Sequence, residues 1–156
     1  MSLHFALYQP DIPQNTGTIL RLCACLNVPI HIIHPTGFAF SDKIFRRSAM
    51  DYANHVHLFE HNNFTDFEKW RQQNSRRLIL LSTKAKNSAY DFEYYKNDVL
   101  LAGRETAGVP QEIANICDAG IRIPMQGQMR SLNVAISCAM VLGEALRVSS
   151  GFAELD

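Results

Sequence analysis

Three short stretches in the second half of the chain punctuate apolar runs in the same way. They are Leu81-Ser82-Thr83, Gly103-Arg104-Glu105 and Ile123-Pro124-Met125, the last running into a polar loop through Ser131. Each follows residues that favour strands, so each is a place where backbone N–H and C=O groups leave the sheet and can bond a ligand. Gly103 has no Cβ and lets a ligand come close to the backbone. Taken singly, each stretch also looks like an ordinary strand-to-helix turn. Other chemistries are disfavoured by what is missing. Gly103 and Gly108 stand at Walker spacing, but no Lys-Ser/Thr follows, so no lysine is placed to cradle a phosphate. No Gly-x-Gly-x-x-Gly follows the first apolar run, which disfavours an ordinary dinucleotide fold. His31 pairs with His34 and His55 with His57, yet no cysteine or carboxylate set completes a ligand sphere, so no metal is expected.

The elements that must position these stretches alternate between strand and helix. Leu3 to Tyr8 reads as a strand, Pro10, Asp11 and Pro13 as a turn, and Asn15 or Thr16 as the cap of a helix through about Leu26. Val28 to His34 is a second strand. Ser41 can cap a short helix through Ala49, and Asn54 to Phe59 reads as a third strand. Thr65-Asp66-Phe67-Glu68 is a capping box opening a helix through Gln73. Arg77 to Ser82 and Asp98 to Ala102 are nearly continuous apolar runs, as expected of strands covered on both faces. Pro110 suits the first turn of a helix to Cys117, Gly120 to Pro124 gives a last strand, and Asn133 to Val148 is the longest helix, closed by Gly151. This order predicts an α/β fold: one domain over residues 1–156, a mostly parallel sheet and helices on both faces. Ligands of such sheets bind beyond the carboxyl ends of the strands, where the three stretches lie.

With 47% hydrophobic and 19% charged residues, the 156-residue chain is expected to bury a real core. Its N-terminus lacks a basic flank followed by a long apolar run, and no run is long enough to span a bilayer, so no signal peptide and no membrane are expected. Cys23, Cys25, Cys117 and Cys138 form no Cys-x-x-Cys pair and sit among apolar neighbours, which fits reduced core thiols in a cytoplasmic protein. Fifteen basic residues balance fifteen acidic ones, so composition gives no general sign of nucleic-acid binding. Any RNA contact must come from local clusters, such as Lys43, Arg46 and Arg47, or Arg71, Arg76 and Arg77, each of which is more often a solvated helix face.

Three blocks, read together, carry a resemblance. Asn15-Thr-Gly17-Thr-Ile-Leu-Arg21, Leu101-Ala-Gly103-Arg-Glu105-Thr-Ala-Gly108-Val-Pro110, and Ile123-Pro-Met125 through Arg130-Ser131-Leu132-Asn133 resemble the three motifs of the SPOUT methyltransferases, in the SpoU (TrmH-like) branch. The likeness covers essentially the whole chain and is closest to minimal-size members that methylate the wobble nucleotide of tRNA. Stretches such as Tyr8 to Asn15 and His31 to Phe38 add to it. After Asn133 many relatives read Leu-Ser-Asn, whereas this chain has Val134-Ala135-Ile136, so no second asparagine is available.

The resemblance implies a C-terminal trefoil knot, which general topology rules would argue against. It implies S-adenosylmethionine as cofactor, held by Leu81, Gly103, Ile123 and Ser131 with Met125 adjacent, and methyl transfer to a ribose 2′-hydroxyl of tRNA. Arg21 is then the catalytic candidate. A guanidinium keeps its proton, so Arg21 is better suited to gripping a phosphate and stabilising an emerging alkoxide than to acting as a base. Asn15 is expected to cap the helix and so position Arg21. Glu105 is expected to orient Arg21 or the ribose, and Asn133 to bond ribose or cofactor. The helix from Asn133 is apolar almost all round, which suggests a subunit interface through residues such as Met140 and Leu142, and family members are homodimers. The alternatives are another tRNA or rRNA position, or an RNA-binding relative without catalysis.

Overall fold

The computed structural model describes residues 1–39, 47, 52, 55–129 and 131–155. The expected helix from Ser41, and Lys43, Arg46 and Arg130, lie outside the described residues. Among the described residues seven strands form one sheet: β1 (His4–Tyr8), β2 (Ile30–Ile33), β3 (Leu58–His61), β4 (Arg77–Leu81), β5 (Asn87–Ser88), β6 (Asp98–Ala102) and β7 (Ala119–Arg122). Their spatial order is β3-β2-β1-β6-β4-β7-β5, and every pairing is parallel. The helices among the described residues are α1 (Pro13–Cys25), α2 (Phe64–Gln73), α3 (Gln111–Ile116) and α4 (Val134–Val148), followed by a 3-10 turn at Gly151–Glu154.

The sheet is covered on both faces, as its apolar runs require. Every residue of β1 and β6 is buried. On one face Phe5, Ile30, Ile79 and Leu100 pack with Ile19 and Leu20 of α1 and Val141 and Leu142 of α4. On the other, Ala6, Leu78, Val99 and Leu101 meet Phe67 of α2 and Ile113 of α3. Asp98, fully buried at the start of β6, is tolerated because Arg77 grips both its oxygens, at 2.7 and 2.8 Å, and the backbone N–H of Tyr95 donates at 2.9 Å.

Several boundaries differ from the sequence reading. Asn63, not Thr65, caps α2 by accepting from the backbone N–H of Asp66 at 2.8 Å. The third strand lies at Leu58–His61, running past the expected end at Phe59, and the two-residue β5 is too short to carry a pattern. Ser150, not Gly151, adopts the left-handed conformation after α4, with φ of 62°. Gly151 packs against Leu146 instead: a Cβ there would lie 2.5 Å from Cδ2 of Leu146, so the tip of that side chain would have to shift. Cys25 is exposed, unlike buried Cys23 and Cys138.

Candidate active site

Because all strands run the same way, their carboxyl ends share one edge. The ends of β6, β4 and β7 are adjacent there, with Leu81 in register with Ala102 on one side and Ile121 on the other. A cleft of about 880 Å³ opens beyond them, lined by Leu81, Gly103, Ile123, Met125 and Ser131, the five residues expected to hold a cofactor. It reaches the start of α1 at Ile12 and Asn15 and the start of α4 at Asn133 and Ser137. Such a place, where chain connections diverge on either side of a central strand, is where open parallel sheets bind ligands. Lys84 and Arg122 give the β4–β7 side two cations, and Glu105 gives the β6 side a carboxyl group.

The loop after β6 owes its shape to its two glycines. Arg104 and Gly108 exchange backbone hydrogen bonds at 3.1 and 2.9 Å, and Gly108 takes a left-handed φ of 63°. A Cβ on Gly103 would lie 2.6 Å from the carbonyl carbon of Gly108. Gly103 is therefore required by the closure of its own loop, before any ligand is considered. Arg104 also lines the cleft; its Nε donates to the Gly108 carbonyl at 3.1 Å and its guanidinium lies 5.5 Å from the Tyr8 ring centroid.

The asparagines play parts other than those expected. Asn15 does not cap α1; the helix starts at Pro13 after Ile12, which makes no side-chain cap. Proline at the first position needs no N–H partner, so the helix can begin three residues earlier than a cap at Asn15 would place it. Asn15 instead accepts from Nδ2 of Asn133 at 3.2 Å, joining the starts of the two long helices across 118 residues of sequence. Asn133 is itself the cap of α4, its Oδ1 accepting from Ala135 N at 2.9 Å and Ile136 N at 3.3 Å. Its carbonyl oxygen is thus committed to the helix rather than to ribose or cofactor.

Arg21 stands exposed on α1, its guanidinium 4.6 Å from the centroid of the Tyr52 ring, and is not among the residues lining the cleft. Glu105 faces Asp11 rather than Arg21: it accepts from the Asp11 backbone N–H at 3.2 Å, and its own N–H donates to Asp11 Oδ1 at 3.3 Å. Burial, and then the hydrogen bond shared with the Asp11 carboxyl, push Glu105 up to about 7. Burial works the same way on Asp11, but hydrogen bonds from Glu105 and Thr106 outweigh it and hold that carboxyl below its usual value. Asp11 was missed in the sequence because a Pro-Asp-Ile-Pro stretch reads only as a turn. The cluster Arg71, Arg76 and Arg77 is spent internally: Arg71 on Glu68 and the Arg76 carbonyl, Arg76 on the Ser2 carbonyl, Arg77 on Asp98.

Comparison with known proteins agrees with this geometry. The SpoU rRNA Methylase family matches residues 2–143. A tRNA (cytidine(34)-2′-O)-methyltransferase of Beijerinckia indica is 55% identical over 150 residues, spanning 96% of this chain and 94% of that protein. A solved structure described as giving structural insights into the 2-OH methylation of C/U34 on tRNA superimposes with a TM-score of 0.91 at 37% identity, over 96% of this chain and 97% of the other. An AdoMet-bound rRNA methyltransferase from Sinorhizobium meliloti follows with a TM-score of 0.85 at 29% identity, over 94% of this chain and 56% of the other. With a family match spanning both motif-bearing halves of the sheet, and a relative identical at more than half of its aligned positions, this chain belongs to the SpoU methylase family.

Proposed function

We propose that this protein is a cytoplasmic RNA methyltransferase that transfers a methyl group from S-adenosylmethionine to the ribose 2′-hydroxyl of the cytidine or uridine at position 34, the wobble position, of tRNA. The observation that carries the reading is the cleft in which Leu81, Gly103 and Ile123 converge from three adjacent strand ends, in a chain 55% identical to a tRNA (cytidine(34)-2′-O)-methyltransferase. A volume of about 880 Å³ with apolar walls and backbone groups at its rim suits a nucleoside of this size.

The cofactor supplies a methyl group already activated on a sulfonium, so the chain's task is placement rather than covalent help. Leu81, Gly103 and Ile123 shape the slot, Met125 and Ser131 close it, and Lys84 and Arg122 offer cations to a carboxylate. Asn15 and Asn133 hold the helix starts together at the cleft. Arg21, exposed on α1, binds a substrate phosphate and stabilises the alkoxide as the hydroxyl proton leaves to phosphate or water. Mass spectrometry of tRNA nucleosides, from cells with and without the gene, tests the reading. Loss of the 2′-O-methyl group at position 34 alone is the expected result, and loss at another tRNA or rRNA position would replace the substrate.

The 156 residues act as a single domain, and its C-terminal third is proposed to be threaded as a trefoil knot. The strand order supports this: the chain leaves β4 for the edge strand β5, returns to β6 between β1 and β4, and goes out again to β7 between β4 and β5. We also propose a homodimer. Leu132, Ile136 and Met140 recur every fourth residue along one side of α4 and its approach, and are 38, 53 and 39% exposed.

A further inference from the structure

The turn after β1 and the loop after β6 are 94 residues apart in sequence, yet they bracket each other. Each carboxyl group accepts the other residue's backbone N–H, Asp11 N to Glu105 Oε2 and Glu105 N to Asp11 Oδ1. The second oxygen of Asp11 accepts from the Thr106 hydroxyl at 2.6 Å. A third loop closes on the same residue: Gly37 N donates to the Pro10 carbonyl at 2.9 Å, and a Cβ on Gly37 would lie 2.8 Å from the Cβ of Asp11. Asp11 therefore sits where the loops following β1, β2 and β6 meet, with little freedom to move.

We propose that Asp11 is a positioning residue for methyl transfer, its carboxylate clamping the 103–108 loop to the turn that begins α1. The Arg104–Gly108 bridge gives that loop its shape, but it lies within the loop and fixes its position against nothing else. The three bonds through Asp11 fix one wall of the cleft against the helix that carries Asn15 and Arg21. The wall belongs to the cofactor side and the helix to the acceptor side, so slack between them separates the reacting atoms. A misplacement of about 1 Å can cost on the order of 10²-fold in rate. Both Asp11 oxygens are engaged by protein donors, which is why it positions rather than reacts.

This inference rests on the proposed methyl transfer to tRNA, and its test separates the two. The variants are Asp11→Ala, Asp11→Asn and Asp11→Ala with Thr106→Val. They are compared by single-turnover methylation at saturating cofactor, calorimetric cofactor affinity, and amide hydrogen exchange of residues 103–108. Asp11→Ala is expected to slow transfer by roughly 10-fold or more, with cofactor affinity within about twofold and faster exchange in the loop. Asp11→Asn keeps an acceptor oxygen and should restore the rate to within about threefold, while adding Thr106→Val to Asp11→Ala should cost little more. A wild-type rate and wild-type exchange in Asp11→Ala overturn the clamp. So do equal losses in the alanine and asparagine variants that track melting temperature, since those describe a merely structural residue. If the wild type methylates no tRNA, the functional reading fails, and loop exchange alone decides on the clamp.

Discussion

Arg21 lies exposed beside Tyr52, outside the wall of the cleft, and that placement suits a group that meets the substrate rather than the cofactor. Arg21→Ala should lose on the order of 10²-fold or more in methylation rate, as other electrostatic stabilisers do. Calorimetry should find cofactor affinity nearly unchanged, because the proposed cofactor slot lies at the ends of β4, β6 and β7, away from Arg21. Arg21→Lys keeps the charge but loses the planar fork, so partial activity is expected. Full activity with a pH–rate profile moved towards acid would make the residue a base and overturn this account. The Asp11–Glu105 pair predicts a second pH effect. Glu105 is raised above its unfolded value, so its contribution is full at acid pH and is lost as pH rises through about 7. Asp11 is lowered, and its contribution is lost as pH falls below the ordinary carboxylate range. The clamp is therefore tightest between these limits. Amide exchange of residues 103–108, corrected for its intrinsic pH dependence, should accelerate above pH 7 in the wild type and less so in Asp11→Asn. An unchanged loop across that range would show that the pair does not clamp it.

At the scale of elements, three imidazoles couple the strands on the face of the sheet covered by α2, where His31 packs against Phe67 and Trp70. His31 Nε2 lies 2.8 Å from His4 Nδ1, and His31 Nδ1 lies 2.9 Å from His61 Nε2, joining β1, β2 and β3. A neutral His31 has one N–H, so it donates to one neighbour and accepts from the other, and a proton added to it removes an acceptor. Burial, with the nearby charges, lowers His4 to about 4 and His31 to about 2, and burial also lowers His61. Folded values below the unfolded one mean that stability is complete above about pH 6.5 and falls as pH drops towards the folded values. Melting temperature should decline from pH 6.5 to 4.5, with uptake of about two protons on unfolding; a flat profile would contradict the chain of neutral rings. The histidines also mark what the sequence could show. Runs such as Arg77 to Leu81 and Asp98 to Ala102 were legible as buried strands because burial on both faces leaves few polar residues. The converging ends at Leu81, Gly103 and Ile123 followed from them. His31 was visible only as half of a pair with His34, because its partners lie 27 and 30 residues away on other strands. Asn15 misled for the same reason: a residue suited to local capping is used across the fold by Asn133.

For the whole molecule, the two faces of α4 decide what an assembly can use. Leu142 is fully buried against the protein's own core, so it cannot serve the interface that its sequence position suggested. Met140 and Ile136 point the other way, 39 and 53% exposed, while Ala135, Cys138, Val141, Leu142, Ala145 and Leu146 of the same helix are buried. Two copies joined through this side would cover the stripe and bring two sets of surface cations together, which matters in a chain with fifteen positive and fifteen negative residues. A neutral protein has little long-range attraction for a polyanion, and pooling local patches is one way to bind it. Met140→Asp tests this without disturbing the core. In a dimer the new carboxylate would be buried without a partner, a cost of several kcal/mol, so sedimentation at micromolar concentration should find the wild type dimeric and the variant monomeric. The variant's melting temperature at high dilution should match that of the dissociated wild type, and its tRNA affinity should fall while the proposed cofactor cleft, which one chain lines, keeps its affinity. Leu142→Asp should instead unfold the subunit, because its carboxylate would enter the apolar core that Leu142 helps to fill, and a buried charge without a donor or cation is costly. A monomeric wild type, or a Met140→Asp variant as dimeric as its parent, would remove this side of α4 from the assembly and leave tRNA binding to a single subunit.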